Sequence, residues 1–224
     1  GVIYGVKELK PGEYLKLDRE RLTVKPYWFL TAEEHPDSET ETIAHTRELL
    51  NDAISRQLVS DVPLCCLLSG GLDSSIISAV AVENCRKRGK KLTTYSVDYQ
   101  DNDKYFQANA FQPTEDAPFI EQMSNYIGSD HRRILLPNLD LADALDDAVF
   151  ARDLPGMVDI DSSLLLFSRE IKKDYTVGVS GECADEIFGG YPWYHREDIL
   201  FREAFPWSRS ARLRESLLKP GTLG

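Results

Sequence analysis

Two rhythms of apolar residues alternate along this chain. From Glu41 to Leu58, the residues Ile43, Leu50, Ile54 and Leu58 recur at helical spacing, which predicts an amphipathic helix with a charged outer face. The pattern then tightens into the run Leu64-Cys65-Cys66-Leu67-Leu68, which reads as a buried strand. A helical stretch over Ile76–Cys85 closes at Gly89, and the β-rich segment Leu92–Asp98 follows. Strand, helix and strand in that order form one βαβ unit, which favours a parallel sheet with a right-handed crossover. Farther on, the pattern predicts a helix over Ala117–Ile127, with Pro118 tolerated in its first turn. A third strand over His131–Leu136, helices over Leu139–Phe150 and Ser162–Lys172 joined by Pro155-Gly156, and a fourth strand over Tyr175–Val179 complete an α/β fold built on a doubly wound parallel sheet.

The first thirty residues have a different texture. Val2–Val6 and Tyr14–Leu17, on either side of Pro11-Gly12, read as two short strands around a turn. Thr31–Glu41 is a polar, acidic connector with Pro36, and the domain boundary is expected there: residues 1–31 as a β segment, 32–224 as the main domain. Tyr99–Pro113 is polar and without periodicity, consistent with an active-site lid or with a plain surface loop.

Composition narrows the class. The 224 residues suffice for one good-sized domain plus an appendage, and 42% hydrophobic with 28% charged residues is the balance of a soluble globular protein. No apolar run reaches membrane-spanning length and no signal-peptide pattern is present, so no membrane role and a cytoplasmic location are expected. The chain opens on Gly rather than Met, as a piece of a longer chain would. A net charge of −11, from 37 acidic and 26 basic residues, disfavours nucleic acid, whose binding relies on Lys and Arg neutralising phosphates. The basic cluster Arg86-Lys87-Arg88 with Lys90 and Lys91 falls at a predicted helix end, where cations suit the dipole. Cys65, Cys66, Cys85 and Cys183 form no Cys-x-x-Cys pair and read as buried free thiols. His195 follows the aromatic run Tyr191-Pro192-Trp193-Tyr194, which reads as packing.

The chemistry concentrates in two loops. Ser69-Gly70-Gly71-Leu72-Asp73-Ser74-Ser75 lies between the first buried strand and a helix start. Backbone N–H groups at such a turn, backed by the positive helix end, suit an anion. The glycines are not followed by the Gly-Lys-Ser/Thr of a Walker loop. A carboxylate, Asp73, stands where a lysine would neutralise phosphate, which implies a bridging Mg²⁺. The second loop, Ser180-Gly181-Glu182-Cys183-Ala184-Asp185-Glu186-Ile187-Phe188-Gly189-Gly190-Tyr191, also follows a strand. In open parallel sheets ligands bind beyond the carboxyl ends of the strands. Asp73 and Asp185 are therefore expected to face one crevice, unless the acids of the second loop are only a solvated helix start.

The first motif resembles the pyrophosphate loop of N-type ATP pyrophosphatases, which cleave ATP to AMP and pyrophosphate. The second resembles the Ser-Gly-Glu-x-x-Asp-Glu-x-Phe-Gly-Gly-Tyr motif of the asparagine synthetase family and of β-lactam synthetase. Residues 1–30, including Lys25–Trp28, resemble the closing strands of the glutamine amidotransferase domain that precedes the synthetase domain in that family. The resemblance implies an adenine nucleotide alpha hydrolase-like (ATP pyrophosphatase) fold. It implies that Ser69, Gly70, Gly71, Leu72, Asp73, Ser74 and Ser75 bind the pyrophosphate part of ATP, that Leu67 and Val97 contact adenine, and that Ser180 and Gly181 complete the nucleotide pocket. Asp73 and Asp185 would hold Mg²⁺, and Glu182 would take a proton from attacking ammonia. The implied reaction activates the aspartate β-carboxylate as an acyl-AMP and then amidates it. ATP, aspartate and ammonia are the small-molecule partners, with a glutaminase domain in the intact chain and a homodimer compatible with the reading.

Three departures accompany the resemblance. The amidotransferase catalytic Cys is absent. The only lysine after Asp185 is Lys219, in a tail that does not resemble the family's phosphate-neutralising lysine region. Asp159 stands where typical members carry an arginine before a Ser/Thr-rich helix start, with Ser162 and Ser163 alternatively plain N-caps. A β-lactam-synthetase-like or peptide cyclase, and a catalytically inactive ATP/Mg-binding module, are the competing readings.

Overall fold

The computed structural model describes residues 3–108, 114–154 and 156–201, together with positions 216 and 219. The chain divides into two compact units, residues 1–47 and 48–224. In the first, β1 (Glu13–Leu17) pairs antiparallel with β2 (Leu22–Pro26), Leu17 opposite Leu22. The turn is Asp18–Arg21, closed by Asp18 N–H donating to the Arg21 carbonyl at 2.9 Å. The hairpin is therefore displaced from the expected one. Ile3 to Val6 forms a tight turn around Gly5, whose φ of +79° suits glycine, and Leu22-Thr23-Val24 alternates well enough to partner β1 instead.

Helix α1 (Glu39–Gln57) opens on a capping box. Ser38 N–H donates to the Glu41 carboxylate at 2.9 Å, and Glu41 N–H reaches back to Ser38 Oγ at 3.4 Å. The second unit then runs β3 (Leu64–Leu67), α2 (Leu72–Lys87), β4 (Thr93–Tyr99), α3 (Asn102–Tyr105), α4 (Ala117–Ile127), β5 (Asp130–Leu136), α5 (Asn138–Asp143), α6 (Leu145–Arg152), α7 (Val158–Ile171), β6 (Val177–Val179), α8 (Ala184–Phe188), a 3-10 turn over Pro192–His195 and α9 (Glu197–Leu200). The sheet is parallel throughout, in the order β5-β4-β3-β6.

Neighbouring thiols show why helices cover both faces. Successive strand residues point to opposite sides. Cys66 packs with Ile54 of α1, Leu58 just after it, Ala81 and Val82 of α2 and Ile127 of α4, whereas Cys65 packs with Tyr95, Phe167 and Ile171, placing α7 on the other side. Both thiols are fully buried, and burial pushes them up to about 11 and about 12, so they stay protonated at neutral pH. Cys183, expected to be buried, is exposed.

Helix ends obey local chemistry. α2 stops where Gly89 takes φ +67° and Lys90 N–H returns to the Cys85 carbonyl at 2.9 Å; α4 stops at Gly128 in the same way. Arg86 does not cap its own helix. Its guanidinium donates to the Ile127 carbonyl at the end of α4, at 2.6 Å. The predicted helix over Leu139–Phe150 is two helices meeting at the buried Ala144. The Tyr99–Pro113 stretch begins as the last residue of β4 and continues into α3; its residues 109–113 lie outside the described residues.

Candidate active site

Strand order places the two loops. The chain steps outward from β3 to β4 to β5 and then returns to lay β6 against the opposite side of β3. The sheet's switch point thus lies between β3 and β6, where crossovers to either face leave a crevice at the carboxyl ends. The loop after β3 and the loop after β6 open into that crevice, a cleft of about 560 Å³.

The first loop is tightly made. Gly71 is the N-cap of α2 in extended conformation (φ −76°, ψ 169°), so the first N–H groups of a 16-residue helix face the cleft. Gly70 sits at φ +86°, and a Cβ there would lie 3.0 Å from the Asp116 carbonyl oxygen, so only glycine lets the loop turn beneath α4. Ser74 Oγ accepts from Ser69 N–H at 3.2 Å, lies 3.0 Å from Ser69 Oγ and 3.2 Å from the Gly71 carbonyl. Ser75 Oγ donates to the Gly71 carbonyl at 2.7 Å. These hydroxyls brace the loop rather than project from it.

The second loop meets the first at one point. A Cβ on Gly181 would stand 2.9 Å from Asp73 Cβ and 3.1 Å from Ser74 N, so the bare backbone of residue 181 lies against the start of α2. That approach brings Asp185 within electrostatic reach of Asp73. Burial, and then the like charge of Asp185, raise the Asp73 carboxyl above the usual aspartate range, while a bond from its own backbone N–H pulls the other way. Among the described residues no set of three or more acidic, histidine or cysteine side chains forms a metal centre. Two carboxylates whose mutual repulsion a cation would relieve, beside a turn suited to phosphate, are nonetheless the donor set Mg²⁺ takes when phosphate oxygens complete its shell.

Of the residues singled out in the sequence, Leu67, Ser69, Gly71, Asp73, Ser74, Val97, Ser180, Gly181, Glu182 and Asp185 line the cleft. Gly70 turns beneath it, Leu72 is exposed and Ser75 is spent on the loop itself. Glu182 is exposed at the rim, with its N–H 3.4 Å from Ser180 Oγ. The opposite wall is Ile160, Ser163, Leu164 and Phe167 from α7, with Tyr99 from β4; of these, Leu164 and Phe167 had not been singled out in the sequence. Tyr99 OH lies 2.7 Å from Ser163 Oγ and ties β4 to α7. The spacing 160, 163, 164, 167 is a helical stripe and is the one signal that could have found this wall. Ser162 and Ser163 are not N-caps. α7 starts at Val158, leaving both within the helix and buried.

The model of the family described as Asparagine synthase matches residues 45–223. The chain belongs to the asparagine synthase family. The glutamine-hydrolysing asparagine synthetase 3 of Bacillus subtilis is 52% identical over 97% of this chain, which covers 35% of that protein. An enzyme of Penicillium rubens named amidase chyE is 31% identical over 91% of the chain and 31% of its own length. The rat glutamine-hydrolysing asparagine synthetase is 30% identical over 72% of the chain and 28% of its own length. The chain thus spans about a third of the length of these relatives. Among the described residues, no helix is long and apolar enough to cross a membrane.

Proposed function

We propose that this chain carries the nucleotide-activating part of an ATP-dependent carbon–nitrogen ligase that makes asparagine. The observation that carries the reading is the approach of the loop after β6 to Asp73 through Gly181, which brings Asp185 within electrostatic reach of Asp73 in the same cleft, beside the turn at the start of α2. The names of the bacterial and rat relatives point to the same activity. Residues 1–31 are read as the end of a glutamine amidotransferase domain and residues 32–224 as part of the synthetase domain, with the nitrogen coming from glutamine in the whole protein.

In this reading ATP is a substrate whose β- and γ-phosphates rest on the N–H groups of Gly71–Ser74, with adenine between Leu67 and Val97. Asp73 and Asp185 would hold Mg²⁺, which when bound neutralises charge on the phosphate oxygens. An oxygen of the aspartate β-carboxylate attacks the α-phosphorus, and the bond to pyrophosphate breaks with its electron pair leaving on pyrophosphate. Ammonia then adds to the acyl carbon and AMP departs, while Glu182, exposed at the rim, accepts the proton that nitrogen loses. The Tyr99–Ser163 bond keeps the far wall shut, which protects an acyl-adenylate from water.

Calorimetric titration of the chain with ATP, with and without Mg²⁺ and on Asp73→Ala, tests the reading. Mg²⁺-dependent binding that is lost in the variant is expected, and aspartate-dependent pyrophosphate release then checks the acceptor. Metal-independent binding equal in both proteins overturns it.

A further inference from the structure

The second loop contains two consecutive glycines, and only one has a backbone reason to be glycine. Gly189 ends α8 at φ +66° with open space around its Cβ position. Gly190 is not in the left-handed region, so its conformation does not demand glycine. Its surroundings do: a Cβ on residue 190 would fall on the Asp185 Oδ1 atom and lie 3.0 Å from the Asp185 Cγ. The carboxylate of Asp185 therefore occupies the notch that the missing side chain leaves.

The backbone around that notch is pinned. Gly190 N–H donates to the Asp185 carbonyl at 3.1 Å, so the two residues are tied at the main chain while the side chain of one fills the space of the other. Beyond it, Tyr191 OH donates to the Glu186 carboxylate at 3.2 Å and its ring stacks on Trp193, centroids 4.3 Å apart and 18° from parallel. His195 Nε2 lies 2.8 Å from the Gly189 carbonyl. The segment 189–195 is thus folded back on a helix of only five residues, which has too few backbone bonds to hold itself.

We propose that Gly190 is a positioning residue for Asp185: its bare backbone, held by the Tyr191–His195 clasp, seats the carboxylate that faces Asp73. The inference rests on the reading of Asp73 and Asp185 as the Mg²⁺ pair. A methyl group at 190 collides with the end of a flexible side chain, so the carboxylate swings out of its seat while the backbone stays.

Calorimetry of the full chain with ATP, in Mg²⁺ and in chelator, on Gly190→Ala, Asp185→Asn and the double variant provides the test. Gly190→Ala is expected to weaken Mg²⁺-dependent ATP binding about tenfold or more, the scale at which positioning groups act on metal affinity. Binding in chelator should not change, and Gly190→Ala should cost nothing further in the Asp185→Asn background. Equal losses with and without Mg²⁺, or losses that add in the double variant, overturn the proposal and leave the Mg²⁺ pair intact. Asp185→Asn without effect, or a parent chain with no Mg²⁺-dependent binding, overturns the pair and this proposal with it. Melting temperatures give a readout that does not depend on binding. If Gly190→Ala destabilises the fold, Asp185→Ala should empty the notch and restore the melting temperature of the double variant to that of Asp185→Ala alone; a further drop overturns the proposal.

Discussion

The loop that leaves β3 and the loop that leaves β6 lie side by side at one crevice, but they are held by different means. The first is bounded by Leu68, 1% exposed, and by buried Ser74, and it runs into a 16-residue helix whose Ala81 and Val82 are core. Its hydroxyls close on its own backbone. The second runs into a helix of five residues without a buried side chain, with Ile187 and Phe188 exposed. It borrows its position through Gly181, which abuts α2, and through the clasp of residues 189–195. One loop is anchored by the core behind it, and the other is held by surface contacts set against it.

The sharpest way to break the comparison is to truncate each loop's apolar neighbour. Leu68→Ala should cost about 2–5 kcal/mol, and Ile187→Ala about 0.5 kcal/mol or less, in chemical denaturation. Similar costs would mean that the second loop is as deeply anchored as the first. Gly181→Ala comes next. Its Cβ meets α2 backbone rather than a flexible side-chain end, so about 1–3 kcal/mol of stability is expected to go, together with Mg²⁺-dependent ATP binding, read by melting and calorimetry.

A smaller effect separates stability from function. The Asp73 carboxyl is raised in the folded chain, so the folded state holds its proton more tightly than the unfolded one. The residue therefore lowers stability progressively as pH rises from the ordinary aspartate value through the raised one, and the whole cost is present above that window. Asp73→Asn should accordingly melt at a higher temperature than the parent at neutral pH. The advantage should shrink as pH falls through that window and be gone below the ordinary aspartate value, while stabilisation by Mg²⁺ and ATP disappears. A variant that melts lower at neutral pH would show that burial and Asp185 together do not oppose the Asp73 charge. The smallest effect is at Cys183, which holds φ +72° at the start of α8. Cys183→Gly should relieve the left-handed conformation and raise stability by about 1 kcal/mol or less in the same melts.

Much of this was legible in the residues. The run Leu64–Leu68, the Ser-Gly-Gly turn and the helical spacing behind it define β3, the loop and α2, because burial on both faces and backbone freedom at glycine are local demands. The helix over Ala117–Ile127 came out at the expected residues, since proline at its start and glycine after its end are local signals too. The hairpin lies elsewhere because both the apolar run Val2–Val6 and the alternating Leu22–Val24 could partner Tyr14–Leu17, and pairing of strands is decided by the partner and not by the pattern. The α7 wall, the Tyr99–Ser163 bond across 64 positions and the notch at Gly190 had no pattern that named their partners. Sequence by itself determined the element types, the two strand-end loops and the acidic pair within them, because these follow from periodicity and turn chemistry. Only the tertiary structure decided that β6 returns to the side of β3, that Gly181 touches α2, and that the Asp185 carboxylate sits where residue 190 lacks a side chain. Those are contacts between segments more than a hundred residues apart, or between a side chain and an empty space, and neither leaves a trace in local spacing.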